Sequence, residues 1–197
     1  MHSFPQEPKK IRERIRRYER GLRQEAERFG GIDDSAGKRY WLGPLYLLMG
    51  DFAGAMRAFE WFKQTFPNDS GEPFHSLCWT LALYRSGNIP KATQKLRHTM
   101  LSNLYLIPHL LHQDQSELDI WHGSNVAMKD YLHYLPPEFE ALWDRPALQW
   151  AKETYESAGF RRVRSRYIEI YRQLKQERPG PRRSQLVKEA FELQNSE

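Results

Sequence analysis

Five side chains able to ligate a metal fall close together: His109, His112, Asp114, Asp119 and His122. Imidazoles three or four residues apart on a helix suit zinc. Pro108 directly precedes the pair, however, and the other three lie in a polar stretch that does not continue a helix. No metal is expected here. Gly30-Gly31-Ile32-Asp33-Asp34-Ser35-Ala36-Gly37-Lys38 approaches a loop that cradles nucleotide phosphates. Such a loop needs four residues between its first Gly and Gly-Lys, then Ser or Thr. Here five residues separate Gly31 from Gly37, Arg39 follows Lys38, and two carboxylates sit inside. A turn with a helix cap from Asp33 or Asp34 fits better. Glu138 and Glu140 are two apart, a spacing that turns side chains to different sides of a helix, so no acid–base pair is indicated. Cys78 is the single cysteine. It excludes a disulfide within the chain and a multi-cysteine metal site, and reads as a small buried thiol. No Ser-His-Asp or Cys-His arrangement and no dinucleotide glycine pattern stands out. The expectation is a protein that is not an enzyme and takes no cofactor.

A second chemistry is phosphate binding. Arg161, Arg162, Arg164 and Arg166 run into Tyr167 and Tyr171, which offers guanidinium groups for phosphates and rings for base stacking. Charge is distributed unevenly. Residues 1–29 carry a net +4, residues 30–159 a net −4 and residues 160–197 a net +5. Two basic ends flank an acidic middle. This pattern suits nucleic acid, and equally suits ends that fold onto the middle.

These residues must be positioned by helices. Around the stretch RYWLGPLYLLMGDFAGAMRAFEWFKQTFP, Arg39 to Pro67, apolar residues recur at helical spacing on both sides of Gly50-Asp51. Gly50 supplies the left-handed break that ends one helix, and Asp51 caps the next. Leu42-Gly43, Tyr46, Gly50-Asp51, Ala55, Phe59 and Pro67 stand in the register of a tetratricopeptide repeat, which the stretch resembles. It departs from that pattern with Arg39 for Trp and Phe62 for the second Ala. Trp79, Leu83, Gly87-Asn88, Ala92 and Leu96 repeat the pattern 37 residues later. The extra length falls in the loop-like run Asn68 to Pro73. The expected fold is all-α: tetratricopeptide-like hairpins in a short right-handed solenoid with amphipathic end helices. The register places Ala55 and Ala92 where the two helices of each hairpin approach closely.

The whole chain, 1–197, is expected as one helical domain. An N-terminal helix covers 8–29, with Ile11, Ile15, Tyr18, Leu22, Ala26 and Phe29 as its apolar stripe. Two repeats cover 35–102, and a divergent third hairpin covers 103–157. Within that hairpin a helix is expected from Gly123 to about Leu135, and Pro146 opens another. Basic helices cover 160–195, the last of them capped by Ser184. Asn103, Pro108, Leu110-Leu111, Gly123, Ala127, Tyr131, Trp143 and Pro146-Ala147-Leu148-x-Trp150 are similar to a segment that follows helical repeats in bacterial proteins bearing the SEC-C zinc motif. They are also similar to part of MYND-finger-associated repeat proteins. Both metal modules need several cysteines, so their zinc does not carry over.

The tetratricopeptide resemblance implies a concave wall of Tyr40, Pro44, Leu47 and Leu48, continued by Phe74, Leu77, Leu81, Tyr84 and Arg85. The family's carboxylate clamp uses Lys and Asn where this wall is apolar, so Arg85 alone could serve as a cation. An open apolar wall is larger than a soluble monomer usually tolerates. An end helix, Ile11–Phe29 or Phe160–Leu174, is therefore expected to cover part of it and leave a cleft around Tyr40, Leu77 and Tyr84. The resulting expectation is an adaptor, monomer or homodimer, that binds a peptide or partner helix. The alternative is RNA or DNA binding by the basic ends. Apolar runs are too short for a membrane span of ~20 residues, and the start lacks a signal-peptide core, so a cytoplasmic protein is expected.

Overall fold

The computed structural model describes residues 5, 7–113 and 115–195. Asp114 of the candidate metal cluster lies outside them. Every regular element among the described residues is a helix. The chain divides into two compact units. One runs to Ala92 and includes Pro136–Trp143; the other comprises Thr93–Leu135 and everything from Asp144 onward. The division falls inside a helix that the sequence reading assigned to the second repeat.

In the first unit α1 spans Pro8–Phe29. Proline suits its first turn because that position has no intrahelical N–H partner. Gly30, at φ 69°, ends it, its N–H bonding to the Ala26 carbonyl. Ile11, Ile15 and Leu22 are buried as the stripe requires, but Phe29 is 71% exposed. A 3-10 turn at Lys38–Tyr40 leads into α2, Leu42–Leu48; α3 follows at Phe52–Thr65. Gly50 turns at φ 72°, and Asp51 accepts a hydrogen bond from the Gly54 N–H at 2.7 Å. α2 and α3 form a packed pair, with α4, Pro73–Arg85, against both. Phe59 is fully buried over Gly43 and stacks on Trp79 at 5.3 Å. Ala55 and Ala92 are both fully buried. Cys78 is buried among these helices, and burial pushes its thiol far above the ordinary range.

Arg39 stands where the sequence analysis noted Arg in place of Trp. Its guanidinium lies over the rings of Tyr40 and Phe66, so a cation–π sandwich occupies the place of an aromatic side chain. It also pairs with Asp69 at 2.9 Å. Asp34, rather than Asp33, caps the following turn, accepting from the backbone N–H groups of Lys38 and Arg39.

In the second unit α5 spans Ile89–Ser102, its first residues belonging to the other unit; α6 spans Leu106–Leu110. No α-helix forms between Gly123 and Leu135. Two 3-10 turns, Asn125–Ala127 and Lys129–Tyr134, stand there instead. The cause is Asn103, which is buried and donates from Nδ2 to the carbonyls of Val126 and Met128 at 2.7 and 3.1 Å. Those carbonyls would otherwise accept α-helical bonds, and Met128 is held extended between the turns.

The short helix α7, Pro137–Glu140, belongs to the first unit. α8, Arg145–Tyr155, is capped by Asp144, with Pro146 in its first turn. α9, Ala158–Gln176, is capped by Ser157 and packs against α10, Pro181–Asn195. Ser184 is not the expected cap: α10 begins three residues earlier, and the Ser184 hydroxyl donates to the Gly180 carbonyl. Arg183 closes the α9–α10 turn by donating to the carbonyls of Leu174 and Glu177, its guanidinium lying over Trp121.

His98 of α5 carries a pH prediction. Its Nδ1 is buried without a hydrogen-bond partner. Burial, with Lys95 adding repulsion, pushes its pKa down to about 4. The folded chain thus keeps His98 neutral where the unfolded chain, near 6.5, takes up a proton. Stability is expected to fall as pH drops from 6.5 towards 4, by up to about 1.4 kcal/mol per pH unit from this group. Urea midpoints of the native chain and of His98→Gln should converge across that range. Parallel curves would remove His98 as the cause.

Candidate functional site

The wall implied by the repeat register is closed. Pro44, Leu47, Phe74, Leu77 and Leu81 are buried, and Tyr40, Leu48, Tyr84 and Arg85 are half-buried. Phe74 is covered within the first unit. Phe139 of α7 sits on it at a centroid distance of 5.0 Å and reaches Trp41 at 6.2 Å. The segment Pro136–Trp143 therefore covers part of the wall, a role the sequence analysis expected of an end helix. Arg85 is not an available cation, since it donates to the Leu142 carbonyl and lies over Phe52. Tyr40 is held by Asp69 at 2.7 Å and by ring contacts with Phe62 and His75. Its hydroxyl is pushed up to about 12 by burial and by the Asp69 carboxylate. The expected cleft around Tyr40, Leu77 and Tyr84 gives way to a packed core.

The four candidate phosphate-binding arginines are divided. Arg161 and Arg162 are exposed. Arg164 donates to Gln115 and to the Leu104 carbonyl. Arg166 makes a two-pronged bond to Glu189, at 2.6 and 2.8 Å, and pairs with Glu169. These partners hold the Arg166 guanidinium above its ordinary pKa and the Glu189 carboxyl below its own. Arg166 is thus neutralised within the chain, and the Arg164 guanidinium is engaged by neutral acceptors.

The His109–His122 cluster disperses. Asp119 pairs with Lys175, which holds its carboxyl below the usual range. The His122 ring stacks on Tyr105 and lies 3.3 Å from its hydroxyl. Among the described residues no group of three His, Cys, Asp or Glu side chains gathers in a metal-binding arrangement.

An open cleft of about 490 Å³ lies elsewhere in the first unit, between α1 and the α2–α3 pair. Leu22, Ala26, Ile32, Leu42, Ala58 and Trp61 supply its apolar lining. Glu19 and Arg23 come from α1 and Arg57 from α3. The Tyr46 hydroxyl donates to Glu19 Oε1 at 2.7 Å and ties α2 to α1. Burial, reinforced by Glu19, pushes that phenol up to about 12, so it remains a neutral donor. Gly54 makes the corner: a Cβ there would stand 2.5 Å from both the Tyr46 ring and the Asp51 carboxylate. Arg23 and Arg57 are exposed and make no hydrogen bond or ion pair with any described residue.

The arrangement offers a greasy slot with an aromatic wall, Glu19, and two cations that form no ion pair with any described residue. It holds no nucleophile paired with a base. The slot falls in the size range of ligand pockets, about 300–1,000 Å³. Sequence reasoning missed it because it arises where α1 meets the hairpin. Its only linear trace is two four-residue spacings, Glu19–Arg23 on α1 and Arg57–Trp61 on α3.

Comparison with protein-family models, with curated proteins and with solved structures gave no match for this chain. No helix among the described residues is long and apolar enough to cross a membrane.

Proposed function

We propose that this chain is a non-catalytic docking module built from tetratricopeptide-like hairpins, and that it receives a segment of a protein partner in the cleft between α1 and α2–α3. The observation that carries this is the pairing of an apolar slot walled by Trp61 with two exposed, unpartnered arginines. Burying an apolar side chain supplies binding energy of roughly 1.5–3 kcal/mol, and the cations orient its flanks. The pairing of Arg166 with Glu189 and Glu169, and the engagement of Arg164 by Gln115 and the Leu104 carbonyl, favour this reading over nucleic-acid binding at the basic C-terminal helices.

Ala58→Trp fills the slot from α3 while leaving the buried faces of the hairpin untouched. A random peptide library displayed on phage and panned on the full chain should yield binders that lose at least about tenfold in affinity on Ala58→Trp, the effect of displacing one buried anchor. Binders indifferent to that substitution, or no binders, would overturn the cleft as the docking site.

A further inference from the structure

Lys9, Arg12, Arg16, Arg20 and Arg23 follow one another along α1 at spacings of three or four residues. Such spacing places them on one narrow edge of a helix, consecutive members about 4.5–6 Å apart along the axis and the whole row about 21 Å long. All five are exposed, and none has a hydrogen-bond, ion-pair or ring partner among the described residues. This contrasts with Lys10, paired with Glu7, Arg17, over Tyr18, and Lys38, paired with Glu25. The row ends at Arg23, which is also a wall of the cleft. Five like charges so close repel one another, and an opposing surface of negative charge relieves that repulsion.

We propose that the cleft's occupant is an acidic amphipathic helix of a protein partner. It lies along α1 with carboxylates at every third or fourth position facing the row, and inserts one large apolar side chain beside Trp61. This rests on the reading of the cleft as a docking site. Charge complementarity selects the acidic edge, and the apolar lining selects the inserted side chain. A helix repeats its side chains with the period of the row itself, so the two edges stay in register along its length. Glu13, Glu19 and Glu27 border the row on the same helix. A nucleic-acid backbone, negative throughout, would be repelled there; a helix can present basic or neutral residues opposite them. Glu19 also has a second carboxylate oxygen able to accept a donor from the partner.

The test is a displayed library of helix-patterned peptides on an Ala background. One edge is randomised among Glu, Gln and Lys, and the adjacent edge among apolar and polar residues. It is panned on the full chain, on Ala58→Trp, and on a triple variant Arg16→Glu, Arg20→Glu, Arg23→Glu. Because those arginines are exposed and have no partner among the described residues, the triple variant should keep the native far-UV spectrum, with a modestly lower melting temperature from new like-charge neighbours at Glu13, Glu19 and Glu27. A milder triple Gln variant, which adds no charge, should keep the native melting temperature and still weaken binding. The expected result is enrichment of Glu on the first edge and of a large apolar residue on the second. Amidated synthetic versions should lose at least about fivefold per reversed arginine and weaken as salt rises. Enriched peptides that depend on Ala58 but carry no acidic edge would overturn the acidic-helix occupant and leave the cleft reading standing. Binders indifferent to Ala58→Trp, or no binders, would overturn both. Single-stranded RNA or duplex DNA bound more tightly than any peptide, with binding lost in the triple variant, would overturn it in favour of nucleic acid.

Discussion

Gly43→Ala should destabilise the first unit by about 1–3 kcal/mol, although alanine is the better helix former by up to about 1 kcal/mol. Gly43 is the second residue of α2, with nothing in its backbone that demands glycine. The reason is space. A Cβ at this position would stand 2.4, 2.5 and 2.7 Å from three carbons of the Phe59 ring. The ring has nowhere to retreat, because it is fully buried, stacked on Trp79 at 5.3 Å and edged by His75 at 5.1 Å. Either the ring leaves its preferred rotamer or α2 lifts from α3. Phe59→Leu removes the two nearest of these carbons, Cε1 and Cζ, at the cost of a partial cavity. In that background Gly43→Ala should cost nothing or be mildly stabilising. The two substitutions are thus expected to couple by about 1–3 kcal/mol in a double-mutant cycle read by urea denaturation. Additive effects would mean that the ring does not rest on Gly43.

Both residues, Gly43 and Phe59, belong to the pattern read in the sequence, which did not pair them with each other, and their neighbours show where such legibility stops. The ends of α1 follow from local rules: Pro8 enters a first turn, and Gly30 leaves in the left-handed conformation. The Asp51 cap and the burial of Ala55 follow from spacing within one hairpin. Local rules failed wherever a distant group decided the outcome. The stretch Gly123–Leu135 has a helical apolar pattern, yet the Asn103 amide claims its carbonyls and leaves 3-10 turns. Val187 and Phe191 belong to an apolar pattern on α10, yet Leu186 and Ala190 face the core and the other two are exposed. The cover of the wall from Tyr40 to Arg85 was sought in the end helices because Phe139, which covers part of it, lies more than fifty positions further along the chain and carries no mark of that role. The cleft was invisible for the same reason. Its apolar lining is shared among α1, Ile32, α2 and α3, and no one of these has a binding motif of its own.

Asp34→Ala should be more damaging than Gly43→Ala, with an expected loss of about 3–4 kcal/mol. Asp34 is 2% exposed. Its carboxylate accepts from the backbone N–H groups of Lys38 at 2.9 Å and Arg39 at 2.7 Å, and lies 3.5 Å from the Arg39 guanidinium. Its own N–H donates to Glu25 of α1 at 3.0 Å, and Lys38 reaches the same Glu25 at 2.6 Å. Lys38 gets there by running across Gly21, whose absent side chain leaves its methylenes 3.8 Å from where a Cβ would be. One buried carboxylate thus orients the turn that joins α1 to the hairpin. Removing it strands two backbone donors and deprives Arg39 of one of its two anions, Asp69 being the other. Backbone shape adds to the loss, because Asp34 sits at φ 42°, where alanine is strained by roughly 1 kcal/mol. Three variants separate these contributions. Asp34→Asn keeps an acceptor and tolerates the conformation, so it should lose least. Asp34→Gly relieves the backbone but leaves the donors unpaired, so it should fall between Asn and Ala. The order native, Asn, Gly, Ala in urea midpoints is the expected result, and a near-native Ala variant would show that the carboxylate does not hold the turn. Ile32, two residues before Asp34, lines the cleft beside α1. A loosened turn should therefore also blunt peptide binding in Asp34→Ala at temperatures where the chain is still folded. In Gly43→Ala, whose defect lies between α2 and α3, binding per folded molecule should change less.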